Sequence, residues 1–227
     1  MLRYVVDEDF YQGTYEAMFY SKGRATFATR LLHKALERHP NKNNLEFPNT
    51  LEIGGGEGLH FEYVKSKYSK YLLTDIRKSE LCPEAKIASE SGSLTFLVEN
   101  AENLSFSDSS MDRVIFACVL HHLNDPEKAL CEARRVVKSG GMISIYLPCD
   151  PGYFYRHLRR LFTSRKARSI GIDYELYNVR QHINHYYQLY KLINFVFKND
   201  TIIHKKFPFF IGPYDVNIFS VIHITKF

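Results

Sequence analysis

The chain has 227 residues, of which 45% are hydrophobic and 24% charged, with a formal net charge of +5. These are globular proportions at a length that can bury one sizeable core, and they exclude wholesale disorder. No apolar run approaches the roughly 20 residues of a membrane span, and the acidic opening MLRYVVDEDF lacks the apolar stretch of a secretory signal.

Residues 14–38 contain no proline, and their apolar positions (Ala17, Met18, Phe27, Leu31, Leu32, Ala35, Leu36) have helical spacing, with Gly23 as a break point. The polar stretch 39–49 reads as a connection. TLEI then runs as a short strand into glycines, and residues 59–68 are expected to form the helix after it. YLLTDI (71–76) and LTFLVEN (94–100) read as strands, with a weak helix at 83–91 between them. Residues 112–123 begin as a buried strand. DPEKALCEARRVVKSGG (125–141) is the clearest helix, with Asp125 as N-cap, Pro126 at its first position, and Gly140 and Gly141 ending it. MISIYLP (142–148) is the next strand. Alternating strands and helices predict a mostly parallel sheet with helices on both faces.

After Asp150 the rhythm changes. Residues 151–199 read as helical and rich in Tyr, His and Asn. From Tyr153 to Lys206 there are 11 Lys and Arg against 3 Asp and Glu, while the remainder balances at −3. Such a segment either recruits an anionic partner or is a solvated helix face. Residues 201–210 and 216–227 read as strands joined by GPYD, too short a link for anything but an antiparallel pair. Four units follow: a helical N-terminal extension (1–47), a core (48–150), a basic helical insertion (151–199) and a C-terminal hairpin completing the sheet (200–227). Cys82, Cys118, Cys131 and Cys149 form no CxxC pair and no metal-ligand spacing. Free thiols in a reducing cytoplasm are expected, with no metal site.

Leu51-Glu52-Ile53-Gly54-Gly55-Gly56-Glu57-Gly58 follows the first strand of the core. Glycines there allow a tight turn, close approach of a ligand and close strand–helix packing. The GxGxxG fingerprint of dinucleotide folds fails, since its third glycine would fall on Leu59, and no Gly-Lys-Ser/Thr is present for a P-loop. The pattern is instead Glu-x-Gly-x-Gly-x-Gly. Asp75, at the end of the second strand, is placed to accept hydrogen bonds from ribose hydroxyls.

With these pieces in order, the sequence resembles the class I S-adenosylmethionine-dependent methyltransferases, of the small-molecule type. The resemblance covers about residues 48–148 and rests on LEIGGGEG, YLLTDI, FLVENAENLSFSDSSMDRVIFACVLHHLNDPEKAL and EARRVVKSGGMISI. It implies a Rossmann-like seven-stranded sheet with strand order 3-2-1-4-5-7-6 and an antiparallel C-terminal hairpin. It also implies S-adenosylmethionine as cofactor, with S-adenosylhomocysteine as product. The loop Gly54, Gly55, Gly56 and Gly58 would then run beside the methionine part of the cofactor. Glu52 would hold the loop's N–H groups and the cofactor's amino group. Asp75 would take both ribose hydroxyls, and Ile76 would pack on the adenine. Asn100-Ala101 aligns with a family Asp-Ala pair at the adenine, and the Asn amide oxygen can still accept that bond. Cys118 falls where backbone lines the methionine side. Tyr15 and Arg24 match an aromatic and a cation that N-terminal helices of this family bring over the cofactor.

The acceptor is less legible. His121 and His122 follow the fourth strand, where an imidazole can act as base or simply pack. In Gln181-His182-Ile183-Asn184-His185-Tyr186-Tyr187, His182 and His185 are three apart, expected on one helix face, and His185 is a further candidate catalytic group. The basic insertion favours a small anionic acceptor, phosphate- or sugar-bearing. An RNA methyltransferase and a catalytically silent cofactor-binding protein remain the alternatives.

Overall fold

A computed structural model describes residues 20–21, 24–25, 27–39, 45–169 and 171–227. Two short strands, Tyr20–Ser21 (β1) and Arg24–Ala25 (β2), pair antiparallel ahead of helix α1, Phe27–Leu36. The helix expected over 14–38 is therefore confined, among the described residues, to 27–36.

The main sheet has seven strands: Asn49–Ile53 (β3), Lys70–Asp75 (β4), Leu94–Val98 (β5), Met111–Phe116 (β6), Val137–Pro148 (β7), Thr201–Phe207 (β8) and Phe219–Thr225 (β9). Their order is β5-β4-β3-β6-β7-β9-β8. The five strands β3–β7 are mutually parallel, and β9 runs antiparallel to both β7 and β8. This is the Rossmann-like sheet with an antiparallel C-terminal hairpin that the sequence predicts.

Strand side chains alternate between two cores, as a period of two requires. Leu72, Val114, Phe116, Ile143 and Ile145 face helices Pro126–Val136 (α3) and Tyr186–Val196 (α7). Tyr71, Leu73, Ile115 and Tyr146 face α1 and helix Pro83–Glu90 (α2). On this second side Arg113 is fully buried, its Nη2 2.6 Å from Glu37 Oε1. His60 Nε2 lies 3.1 Å from the same Glu37 oxygen.

Three elements differ from the sequence reading. Residues 59–68 make only a single turn at Phe61–Tyr63. The chain beyond it pairs with an earlier segment instead: Phe47 N–H donates to Lys67 O and Lys67 N–H to Leu45 O. Helix α3 starts as expected, with the Asp125 carboxylate accepting from Lys128 N–H at 2.9 Å, but stops at Val136. Two β-branched residues, Val136 and Val137, meet a waiting neighbour strand, so β7 begins at once and carries Gly140 and Gly141 inside it. Gly140 has φ +76° at the irregularity where the β6–β7 register shifts. The third difference is a break in the helical insertion. Its helices are Tyr153–Leu161 (α4), Thr163–Ser169 (α5), Tyr174–Gln181 (α6) and α7, and residues 182–185 are not helical. No helix among the described residues is long and apolar enough to cross a membrane.

Candidate active site

The carboxyl ends of β3, β4, β5, β6 and β7 open on one side of the sheet, where ligands bind in open α/β folds. The glycine loop leaves β3 and turns back on itself. Gly55 N–H donates to Thr74 O at 3.0 Å, Gly58 N–H to Gly55 O at 2.9 Å, and Gly56 N–H to Asp75 Oδ2 at 3.0 Å. Gly54, Gly56 and Gly58 all have positive φ. Crowding fixes the glycines as firmly as conformation does. A Cβ on Gly55 would lie 2.3 Å from Leu73 Cδ1, and one on Gly58 2.8 Å from Ala85 Cβ. At Gly56 the space is open, with only Asp75 Oδ2 near, at 3.9 Å.

Glu52 lies beneath this loop, 1% exposed, and accepts from Tyr71 Oη at 2.6 Å. Burial raises its pKa above the usual carboxylate range, against the opposing pull of His60 and the tyrosine hydrogen bond. The N–H groups of Gly55, Gly56 and Gly58 are thus held by Thr74, Asp75 and Gly55, not by Glu52 as the resemblance implied. Asp75 also accepts from Arg77 N–H at 3.1 Å. Next to it Ile76 is 62% exposed, an apolar face open beside the carboxylate. Past β5, Asn100 Oδ1 accepts from Glu102 N–H at 2.9 Å, and Ala101 is buried. The carboxylate, the open apolar side chain and the glycine cradle lie along adjacent strand ends. These residues fit a nucleoside with a short charged tail.

Beyond β6, Cys118 has φ +72°, and burial pushes its thiol pKa up to about 12. It is an inert thiol at neutral pH. A 3₁₀ turn at Leu120–His122 then carries both histidines just past the end of β6. Their ring centroids are 4.0 Å apart, and His182 stands 4.3 Å from His121 and 5.2 Å from His122. His122 Nδ1 donates to the Gln181 carbonyl at 2.8 Å. His121 is 2% exposed and its Nδ1 has no partner. Burial, with the neighbouring histidines, holds His121 well below the usual imidazole value and pushes His122 down to about 3.

His182 and His185 do not share a helix face, because α6 ends at Gln181 and α7 begins at Tyr186. His182 turns inward, its Nδ1 donating to Asp150 Oδ2 at 2.8 Å. His185 is exposed at the N-cap of α7. Asp150 also accepts from Asn178 Nδ2 at 2.8 Å and from Arg159 Nη1 at 3.4 Å. Burial opposes its charge, but the hydrogen bonds from His182 and Asn178 and the nearby Arg159 hold it below the usual carboxylate range. Asp150 was not among the expected site residues. Its place just past a parallel strand's carboxyl end was the available signal. Arg24 falls in the backbone of β2, and Tyr15 lies outside the described residues.

Residues 51–145 match the family model of the methyltransferase domain. Among curated proteins, the chain is 34% identical over 131 residues to the uncharacterized methyltransferase YcgJ of Bacillus subtilis, covering 54% of this chain and 51% of that protein. It is 30% identical over 122 residues to the ubiquinone/menaquinone biosynthesis C-methyltransferase UbiE of Marinomonas, covering 50% and 49%. The chain therefore spans about half the length of these relatives. Among solved structures, the N-methyltransferase NodS of Bradyrhizobium japonicum in complex with S-adenosyl-l-homocysteine superposes with a TM-score of 0.64 at 13% identity, covering 96% of this chain and 99% of that one. A protein of Pyrococcus horikoshii gives 0.62 at 18% identity, covering 98% and 100%. Residues 51–145 are thus similar in sequence to the methyltransferase domain, and the chain shares the fold of these solved structures.

Proposed function

We propose that the chain transfers a methyl group from S-adenosylmethionine to a small anionic acceptor. The observation that carries this reading is the Gly54–Gly58 loop tied through Gly56 N–H to Asp75 Oδ2, beside the open face of Ile76. Asp75 would hold the ribose hydroxyls, Ile76 and the Asn100-Ala101 turn would flank the adenine, and the glycine loop and Cys118 backbone would border the methionine part. Bound there, the cofactor supplies an electrophilic methyl on a sulfonium. The chain's own contribution is alignment and exclusion of water.

The acceptor would enter over the histidines past β6. A His122 imidazole pushed down to about 3 is a poor proton acceptor at neutral pH, so a binding role suits it better than general-base catalysis. The same burial argues against His121 as the base, and the exposed position of His185 leaves it at the rim. Arg156, Arg160, Arg165 and Arg168 are exposed on α4 and α5 and give the insertion its positive field. That field favours an anion.

Calorimetric titration with S-adenosylmethionine, S-adenosylhomocysteine and NAD tests the cofactor half. Binding of the first two and not the third is expected; NAD binding of equal strength would overturn it. Transfer of a labelled methyl to phosphorylated or sugar-phosphate acceptors tests the other half, and transfer only to RNA would overturn the small-acceptor reading.

A further inference from the structure

We propose that His121, His122 and His182 form a binding site for one divalent transition-metal ion of the zinc class. One ring nitrogen from each lies within 4.8 Å of the others. The hydrogen bonds determine which nitrogens are free. A carbonyl can only accept, so His122 carries its proton on Nδ1 toward Gln181 O, and its Nε2 keeps a lone pair. The Asp150 carboxylate accepts from His182 Nδ1, which leaves Nε2 as the ring nitrogen available to a metal. His121 adds a buried Nδ1 that nothing in the protein satisfies. Three imidazole rings thus converge, with His121 Nδ1 buried and unpartnered and one nitrogen each of His122 and His182 held by a carbonyl and a carboxylate.

The surroundings are those of a metal-binding histidine set. Ligating histidines characteristically donate their other ring N–H to a carboxylate or a backbone carbonyl, which fixes the tautomer and aims the ring. His182 does the first and His122 the second. Asp150 is itself held by Asn178 and Arg159, so the ring it steers is not free to swing. An all-imidazole set suits zinc, cobalt or nickel better than magnesium or calcium, which prefer oxygen. Tetrahedral zinc with bonds of about 2.0–2.1 Å places ligand nitrogens about 3.3 Å apart, so binding draws the rings together by at most about 1.5 Å. Three protein ligands leave the fourth position open. If the methyl-transfer reading holds, that position takes an oxygen of the acceptor and lowers its proton affinity, a task the buried imidazoles are poorly suited to perform as bases.

The test uses the full chain, freed of any affinity tag and stripped with chelator, titrated with Zn²⁺ by calorimetry and with Co²⁺ by visible absorption. One equivalent is expected, with intense tetrahedral cobalt bands. His122→Ala and His182→Ala should each weaken binding at least 100-fold, and Asp150→Asn about 10- to 100-fold. His157→Ala, which removes an exposed histidine elsewhere, should change nothing. Circular dichroism checks that each variant is folded. If Asp150→Asn is not folded, the two histidine variants carry the test. No stoichiometric binding, or equal binding in the parent and both histidine variants, would overturn the site. Cofactor titration is a separate measurement, so loss of the metal proposal and loss of the methyltransferase reading are distinguishable.

Discussion

Gly54 and Val119 pack so closely that a Cβ on the glycine would lie 2.2 Å from Val119 Cγ2. This contact locks the loop after β3 against the loop after β6, and so sets the glycine loop against the segment that carries the histidines.

Gly54→Ala should therefore fail twice over. Its φ of +65° is strained for alanine, and the methyl has no room. Conformational strain alone costs about 1–3 kcal/mol. Gly92 has φ +79° with nothing within 4 Å, so Gly92→Ala carries strain without crowding. Both variants should lose melting temperature, but only Gly54→Ala should also weaken S-adenosylhomocysteine binding by more than tenfold. Equal effects on binding would dissociate the Gly54–Val119 contact from the cofactor site.

Asp75→Ala removes the carboxylate that accepts from Gly56 and Arg77. Cofactor binding should weaken by about 1.5–3 kcal/mol, the scale for hydrogen bonds to a charged group. Asp75→Asn, which keeps one acceptor oxygen, should lose less. An unchanged calorimetric affinity in the alanine variant would take Asp75 out of the ribose site.

The sheet was legible because its signals are local: short apolar strands, Asp125 and Pro126 at a helix start, glycines at a strand end. What stayed hidden depends on residues far apart in sequence. The segment at 59–68 has adequate helix formers, but its last residues pair with Leu45–Phe47. Helix α3 could not be ended correctly because its limit is set by the strand next to Val137. The histidine cluster was seen as two unrelated pairs, 121–122 and 182–185. Only the break between α6 and α7 separates His185 from it and turns His182 onto Asp150.

The basic insertion shows the same limit. Six cations between Arg156 and Arg168 look interchangeable in sequence, yet Arg159 is buried, with Nη2 2.6 Å from Glu175 and Nη1 3.4 Å from Asp150. Arg159→Ala should lower the melting temperature, since it leaves Asp150 short of a partner. The double variant Arg156→Gln with Arg160→Gln should leave stability within about 0.5 kcal/mol, as surface changes do, and should raise acceptor KM. The KM difference from the parent should shrink with added salt, which screens exposed charges beyond about 10 Å at 0.1 M. A double variant with unaltered KM at low salt would make these arginines a solvated surface.

At the opposite end of the sheet, Glu37 is held well below the usual carboxylate range. Burial opposes its charge, but Arg113, the nearby His39 ring and the hydrogen bond from His60 outweigh it. Arg113→Met strands a buried carboxylate and should cost about 3–5 kcal/mol. Arg113→Met combined with Glu37→Leu should recover much of that, since the pair's desolvation goes with it. Chemical denaturation of the three proteins checks the order. A double variant less stable than the single one would mean that His60 and His39 depend on Glu37 more than Glu37 depends on Arg113.

Acid should destabilise this protein well above the range in which carboxylates titrate. His223 is 3% exposed, between Ser144 Oγ at 3.2 Å and the ring of His39, with Arg113, Glu37 and Lys205 also facing it. Burial first, then His39 and Arg113, push its pKa down to about 3. His33, buried beside His60, is lowered too. In the unfolded chain both titrate near 6.5. Below that value the unfolded state binds more protons, so stability falls as pH drops from about 6.5 toward the folded values. Each such histidine contributes up to about 1.4 kcal/mol per pH unit in that window. Glu37 and Asp150, held low, weaken the fold only below about pH 4. Glu52, raised by burial, acts in the opposite direction just above its ordinary value, and comparison with a variant cancels it. Urea unfolding at pH 7.5, 6.5, 5.5 and 4.5 should show a small loss between the first two and a growing loss thereafter. His223→Gln should flatten that loss by about one histidine's share. If parent and variant lose stability in parallel from pH 6.5 to 4.5, His223 takes up its proton in the folded state and is not held neutral.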